Sequence, residues 1–171
     1  MSRLKEVYEE RARLAAKDPA FAKVALRVQA RLIHNVNSEG EAHGFKFQSD
    51  ELDEAGGSGK GPIPLDYFLA GFCFCFLSIM ARTTASLGVG LNSASISVRG
   101  LLDRRGAYGS ADVYSGFLDI AYELKLESDD TEERVRAMVK EVQKRCPAHA
   151  TLSRATKLSS KNFLNGKWFE V

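Results

Sequence analysis

The sequence predicts an α+β fold in which a long apolar helix lies against mostly antiparallel sheets. Three features support this class: helical repeats near both ends of the chain, several runs with a period of two, and one uncharged segment of helix length in the middle. No internal repeat or linker divides the 171 residues. We therefore expect one domain over residues 1–171, with residues 1–20 as an N-terminal helical extension.

Composition and charge exclude several classes of protein. Hydrophobic residues make up 44% and charged residues 27%, as in ordinary globular domains. The 24 basic and 22 acidic side chains leave a net charge of +2 without any basic run, so no nucleic-acid partner is expected. The charged N-terminus carries no secretory signal, and three cysteines form no disulfide framework. We expect a cytoplasmic location.

Two strands and a helix are predicted in the first fifty residues. Apolar residues at helical spacing run to Lys17, where Asp18-Pro19 stops the helix. From Phe21 the period changes to two, which predicts a strand up to Leu32. Turn residues at 37–40 and a second alternating run at 43–49 complete a hairpin.

A glycine-rich loop precedes the long apolar helix. Residues 54–61 superficially resemble a phosphate-binding loop, but Glu54 replaces its first glycine and Gly61 replaces its Ser or Thr, so a flexible connector is expected. The helix runs from about residue 65 to 87 and ends at Gly88. It is apolar on every side in its first half, which predicts full burial in the core. Its fully uncharged part has 15 residues, short of the roughly 20 that span a bilayer, and no membrane partner is expected.

The second half of the chain alternates strands and helices. Runs at 95–102 and 116–127 predict strands joined by a loop at 104–109. Asp130 with Glu133 predicts a capping pair for a helix that ends near residue 145. A short helix then follows, and residues 157–171 predict a last strand.

The cysteines are the candidate chemical groups. Cys73, Cys75, Cys146 and His149 have the side-chain types of a zinc site, but residues two apart on a helix point about 200° apart, so no metal is expected. Cys75 lies on a stripe of small and polar residues, and Cys146 precedes Pro147 at a helix N-terminus, where the dipole favours a lowered thiol pKa. From position alone, a redox pair and ordinary buried cysteines both stay open.

The segment from Gly61 to Cys75 (GPIPLDYFLAGFCFC), followed by CPAHATL from Cys146, resembles the OsmC/Ohr family of peroxide-reducing proteins. That family opens its central helix with a proline, has a cysteine eleven residues later, and carries a Cys-Pro motif at a later helix. Pro64 and Cys75 are eleven apart. The resemblance covers about residues 22–165 and implies that Cys75 is the peroxidatic cysteine and Cys146 the resolving one.

Two departures from the family pattern concern activation of the cysteine. Family members place a glutamate directly after the proline, paired with an arginine from the N-terminal strands, whereas this chain has Leu65 and then Asp66. Asp66 is nine residues before Cys75, which is half a turn around a continuous helix. It can therefore take the place of the activating glutamate only if the helix begins late. Arg31 is the leading candidate for the arginine, with Arg27 on the same strand face and Arg82 third.

The resemblance implies a thiol-dependent peroxidase that needs no cofactor. It acts on organic or hydrogen peroxide through a sulfenic acid and an intramolecular disulfide, and a dithiol reductant restores both thiols. It also implies an intertwined homodimer with active sites at the subunit interface. Two alternatives share the fold: a protein that holds an apolar ligand between its helices, and a redox sensor without turnover.

Overall fold

The computed structural model describes residues 3–170 and confirms the α+β class. Its six α-helices are α1 (Arg3–Lys17), α2 (Pro19–Ala22), α3 (Pro64–Leu87), α4 (Arg104–Tyr108), α5 (Glu132–Arg145) and α6 (Pro147–Leu152), and a short 3-10 helix spans Asp53–Ala55. Its seven strands are β1 (Gln29–His34), β2 (Asn37–Ala42), β3 (Phe45–Ser49), β4 (Ser93–Leu102), β5 (Phe117–Glu127), β6 (Asn162–Leu164) and β7 (Lys167–Phe169). They form three antiparallel sheets in the orders β1-β2-β3, β4-β5 and β6-β7.

The N-terminal sheet corrects the predicted hairpin. Residues 37–40 are not a turn but the start of a middle strand, and the turns lie at Asn35 and at His43-Gly44, where φ is positive. Gly40 belongs in this strand because a Cβ there would lie 2.3 Å from the ring of Phe47. Residues 23–28 are not part of a strand, and β1 begins only at Gln29.

The glycine-rich loop is ordered rather than a flexible connector. The buried carboxylate of Asp50 accepts hydrogen bonds from the Ser58 hydroxyl at 2.8 Å and from the main-chain N–H groups of Glu51, Ser58 and Lys60 at 2.9–3.2 Å. Gly57 lets the loop close, because a Cβ there would meet the Glu51 carbonyl oxygen at 1.9 Å. The loop therefore fixes the entry of the chain into α3.

Helix α3 has the predicted bounds but not the predicted full burial. Pro64 is its first residue, and Gly88 ends it in the left-handed conformation at φ 62°. One face is buried through Phe72, Phe76, Met80 and Thr83. The opposite side is open, since Phe74, about half a turn around from that face, is 71% exposed. Near the start of the helix, Phe68 is 50% exposed and stacks on Phe117 of β5 with ring centroids 5.9 Å apart. This mostly apolar helix is thus left open by its own chain around Phe74.

The buried face of α3 packs against α5 and the β4-β5 hairpin. Met138 and Val142 of α5 join it in the core, and β4 and β5 contribute partly buried residues. Thr131, not Asp130, is the N-cap of α5, because its hydroxyl accepts from the N–H of Arg134. Asp130 instead accepts from the N–H of Gly90 and pairs with Arg134.

The C-terminal segment also differs from the prediction. Instead of one strand there are two three-residue strands, joined by Asn165-Gly166 with φ values of 52° and 77°. Positive φ at both positions is typical of the tight turn that Asn-Gly favours. The predicted loop at residues 104–109 contains the short helix α4. Val171, the last residue of the predicted strand, lies outside the described residues.

By length and composition, α3 could also cross a membrane. It is the one helix of residues 3–170 that is long and apolar enough, and 17% of its apolar window is buried inside the chain. Core helices of soluble proteins can have the same length and apolar composition. This finding therefore does not distinguish a helix that crosses a membrane from one that is covered by another protein surface.

Candidate active site

The structure brings Cys75 and Cys146 together although 71 residues separate them. Their sulfur atoms lie 3.6 Å apart, with the Cys146 thiol donating to the sulfur of Cys75. Both are free thiols; Cys146 is fully buried and Cys75 is half-buried. A disulfide has a sulfur–sulfur distance of about 2.0 Å, so the pair needs to close by about 1.6 Å to become one.

Cys146 is held at the junction of two helices. It ends α5, where its N–H donates to the carbonyl of Val142, and it precedes α6, where its carbonyl accepts from the N–H of Ala150. Pro147 starts α6 because proline fits the first helical position, which lacks a partner for its N–H. The short helix predicted after Cys146 is therefore present, and it fixes the main chain of the thiol from both sides.

The direction of the Cys146 pKa is opposite to the one that the helix dipole predicts. Burial is the largest influence and raises the pKa of the Cys146 thiol above its ordinary value. The main-chain N–H groups of His149 and Ala148 oppose this, and the neighbouring Cys75 raises the pKa further. A short helix cannot offset the loss of water around a sulfur that is fully buried. At neutral pH Cys146 is therefore a protonated thiol.

Cys73 lies outside the pair. It is two residues before Cys75, so its side chain points about 200° around the helix from that thiol. Burial also raises the pKa of Cys73. Among residues 3–170, no group of three or more His, Cys, Asp or Glu side chains is arranged to hold a metal ion.

The candidate activating residues are not at the thiols within one chain. The late helix start that Asp66 requires does not occur, since α3 begins at Pro64 and places Asp66 in its first turn, half a turn around from Cys75. Arg31 lies on β1, exposed and 3.4 Å from Glu39 on the neighbouring strand. Arg27 and Arg82 are exposed as well. In the part of the chain that the structure describes, no arginine or lysine makes a hydrogen bond to either sulfur.

Sequence reasoning missed an aromatic and polar cluster next to the pair. Tyr122 of β5 packs against the rings of Phe72 and Phe76, with centroids 5.3 and 5.4 Å away, and its hydroxyl accepts from Gln143 of α5 at 2.8 Å. His149 lies against the same rings. The strand predicted at residues 116–127 includes Tyr122, but nothing in the sequence pairs it with Gln143.

Comparisons with known proteins agree with this geometry. The family model described as "OsmC-like protein" matches residues 57–161, which include both cysteines. A curated relative from Mycoplasma genitalium, named "Hydroperoxide reductase", is 33% identical over 93 residues, which are 54% of this chain and 63% of that protein. The match thus spans less than two thirds of the relative's length.

Solved structures give the same fold. An OsmC-like protein from Mycoplasma pneumoniae superposes with a TM-score of 0.68 at 22% identity, covering 78% of this chain and 90% of that one. A structure from Legionella pneumophila described as an organic hydroperoxide resistance protein OsmC superposes with a TM-score of 0.58 at 22% identity, covering 76% and 91%. Since the family model matches more than half of the 171 residues and the fold agrees, this chain belongs to the OsmC-like protein family.

Proposed function

We propose that this protein is a thiol-dependent peroxidase that reduces organic or hydrogen peroxides with Cys75 and Cys146. The observation that carries the proposal is the sulfur–sulfur distance of 3.6 Å between two free thiols. The family and the name of the Mycoplasma genitalium relative support a peroxide-related redox function.

The exposure of the two thiols supports the order of reaction that we propose. Cys75 is half-buried and within reach of a small solute, whereas Cys146 is fully buried. The Cys75 thiolate attacks one peroxide oxygen, the O–O bond breaks, and Cys75 becomes a sulfenic acid. The leaving alkoxide or hydroxide takes up the proton that the thiol lost on ionisation and departs as an alcohol or water. Cys146 then forms a disulfide with Cys75 and releases water. A dithiol reductant reduces the disulfide and is itself oxidised to a disulfide.

The cation that activates Cys75 comes, in this proposal, from a second copy of the chain. A free thiol is only slightly ionised at neutral pH, so fast attack needs a nearby positive charge. Within residues 3–170, no arginine or lysine makes a hydrogen bond to either thiol. Arg31 lies exposed on the three-stranded sheet, and α3 has an open apolar face around Phe74. An intertwined dimer covers that face and carries Arg31 of one copy towards Cys75 of the other.

A binding protein or a redox sensor without turnover is the second candidate. The observation that favours it is Leu65, which is 40% exposed at the position where the family has its activating glutamate. A leucine at this position cannot orient an arginine, and within its own chain Arg31 pairs with Glu39 on the neighbouring strand instead. Either alternative keeps the thiol pair but lacks sustained peroxide consumption.

A peroxide-consumption assay with dithiothreitol tests the proposal. The wild type should consume cumene hydroperoxide or hydrogen peroxide over many turnovers, and Cys75→Ser should lose at least 99% of this rate because the attacking sulfur is gone. Cys73→Ser is the matched control and should keep most of the activity, since Cys73 faces away from the pair. Equal loss in both variants would contradict the assignment of Cys75. A wild-type protein that reacts with one equivalent of peroxide and then consumes no more would favour the redox sensor without turnover.

A further inference from the structure

Cys75 receives a hydrogen bond on its sulfur from the other thiol of the pair. It lies inside α3, eleven residues after Pro64, so it is beyond the first helical turn, where the dipole favours a thiolate. The candidate cation Arg31 pairs with Glu39 on a separate sheet. The hydrogen bond to the Cys75 sulfur comes instead from Cys146, whose Sγ lies 3.6 Å away. Within one chain, the S–H group of Cys146 is thus placed to act on the attacking sulfur.

Burial makes Cys146 the partner that keeps its proton. Its side chain is fully buried, whereas that of Cys75 is half-buried. Loss of water disfavours a charged sulfur and raises the pKa of the Cys146 thiol, and the neighbouring Cys75 acts in the same direction. Cys146 therefore remains a donor when Cys75, which is nearer to water, loses its proton.

Such a contact favours the ionised form of the acceptor. A thiol is a weak donor and a neutral sulfur is a weak acceptor, so the contact contributes little while Cys75 is protonated. A hydrogen bond to an ionised acceptor is roughly twice as strong, and the low dielectric of the protein interior strengthens it further. The 3.6 Å contact therefore stabilises the thiolate of Cys75 more than its thiol.

The donor is held in place before any charge forms. The main chain of Cys146 is fixed by hydrogen bonds to Val142 on one side and Ala150 on the other. Its side chain belongs to the buried core cluster together with Met138 and Val142 of α5. A donor that is already positioned needs no reorganisation when the negative charge appears, which is the usual advantage of a preorganised site.

We propose that Cys146 acts already in the first step, by donating its S–H hydrogen bond to the Cys75 thiolate, an inference that rests on the proposed peroxidase function. Cys75 loses its proton to water, and Cys146 keeps its own. When the thiolate has attacked the peroxide and the O–O bond has broken, the negative charge departs with the alkoxide or hydroxide. Cys146 then attacks the sulfenic acid of Cys75. Its S–H bond and the S–O bond break, the proton and the hydroxyl group leave as one water molecule, and the disulfide forms.

Variants at position 146 separate the donor from the resolving thiol, because none of them can form the disulfide. Cys146→Ser keeps a hydroxyl donor. Cys146→Val fills the space without a donor, and Cys146→Ala leaves the space open. All three are made in the full-length Cys73→Ser protein, so that Cys75 is the one thiol left of the three. The ultraviolet absorbance of the thiolate then measures the ionisation of Cys75 between pH 5 and 9.

The ionisation constant of Cys75 should be about tenfold smaller in the valine and alanine variants than in the serine variant, the lower end for a hydrogen bond to a charged group. The other ionisable groups on the elements around the pair are identical in the three proteins, so they do not cause a difference: Tyr8, Arg82, Tyr122, Glu141, Arg145 and His149. Equal constants in all three variants would overturn the inference. A valine and an alanine variant that differ from each other as much as from the serine variant would assign the effect to packing and would overturn it as well.

The rate of sulfenic acid formation separates this inference from the proposed function. With hydrogen peroxide at pH 7, Cys146→Val should form the sulfenic acid about threefold more slowly than Cys146→Ser, because the loss of thiolate outweighs the higher reactivity of a more basic one. Dimedone trapping at successive times measures both rates. Since the ionisation measurement uses no peroxide, a tenfold difference in ionisation without any sulfenic acid would contradict the proposed function alone. Equal ionisation and equal rates in variants that do form sulfenic acid would contradict only the donor role of Cys146.

Discussion

At the scale of the residue, Asp50 holds the glycine-rich loop through hydrogen bonds to its buried carboxylate. The Ser58 hydroxyl is the main cause that keeps the pKa of Asp50 well below its ordinary range, although burial opposes it. Main-chain N–H groups of Lys60, Ser58 and Glu51 act in the same direction. The charged form of Asp50 is therefore part of the folded loop.

This lowered pKa predicts the pH dependence of stability. Because the folded-state pKa lies below the unfolded value of about 3.9, the stabilisation is complete above about pH 5 and declines as the pH falls further. Asp50→Asn should lower the thermal midpoint at pH 7, and the difference from the wild type should shrink below pH 4. Asp53→Asn is the matched control in the same loop, with an exposed carboxyl, and should change little. Thermal unfolding followed by circular dichroism between pH 2.5 and 7 measures both, and a difference independent of pH would refute the role of the charge.

Single residues also show where sequence reasoning ends. The family resemblance identified Cys75 and Cys146 because their motifs are local: a proline eleven residues ahead of one and directly after the other. Asp50 and Tyr122 were not identified, because their partners lie on loops and helices that only the fold brings near. The burial of Cys146, which reverses the expected direction of its pKa, likewise depends on neighbours far away in the chain.

At the scale of the element, the start of α5 tests the corrected capping assignment. Thr131 accepts a hydrogen bond from the N–H of Arg134, whereas Glu133 is an exposed residue of the first turn. Thr131→Ala should lower the free energy of unfolding by about 1 kcal/mol, the usual loss at a helix N-cap. Glu133→Ala should cost about 0.5 kcal/mol or less. Urea unfolding monitored by circular dichroism measures the stability loss of both variants. A larger loss for Glu133→Ala than for Thr131→Ala would support the predicted capping pair of Asp130 and Glu133 instead.

Periodicity located the long elements and failed at the turns. Helix α3 and strands β4 and β5 agree with the predicted segments to within a few residues, because their apolar patterns are long and end in clear signals such as Gly88. The N-terminal hairpin was wrong because its turns use Asn35 and His43 at positive φ, whereas the glycine at position 40 lies inside a strand. The Asn165-Gly166 turn had a usable signal that the single-strand prediction overlooked.

At the scale of the whole molecule, the open face of α3 predicts a dimer. Phe74 is 71% exposed on a helix whose opposite face is buried in the core. We expect a species of about 38 kDa, twice the chain mass of 18.8 kDa. Phe74→Ser should raise the dimer dissociation constant by at least about tenfold, because burying a phenylalanine contributes about 1.5–3 kcal/mol. The control Tyr114→Ser removes an aromatic ring that is 69% exposed in the segment between α4 and β5, and it should leave the dimer intact.

Sedimentation velocity over a range of concentrations measures this equilibrium. A wild type that stays monomeric at micromolar concentration would remove the second copy as the source of the activating cation. A dimer that Phe74→Ser does not weaken would place the interface elsewhere. The open face would then need another covering, and the length and composition of α3 leave a membrane as one alternative to test by vesicle binding.

The central claim is that Cys75 and Cys146 are one redox pair, and the most direct test is to map the disulfide after oxidation. The reduced protein is treated with one equivalent of peroxide, blocked, digested and analysed by mass spectrometry. The 3.6 Å contact predicts a Cys75–Cys146 linkage with Cys73 left free, and a dimedone adduct trapped on Cys75 in Cys146→Ser. A Cys73–Cys75 linkage, or no disulfide after stoichiometric oxidation, would contradict the pairing and the peroxidase mechanism built on it.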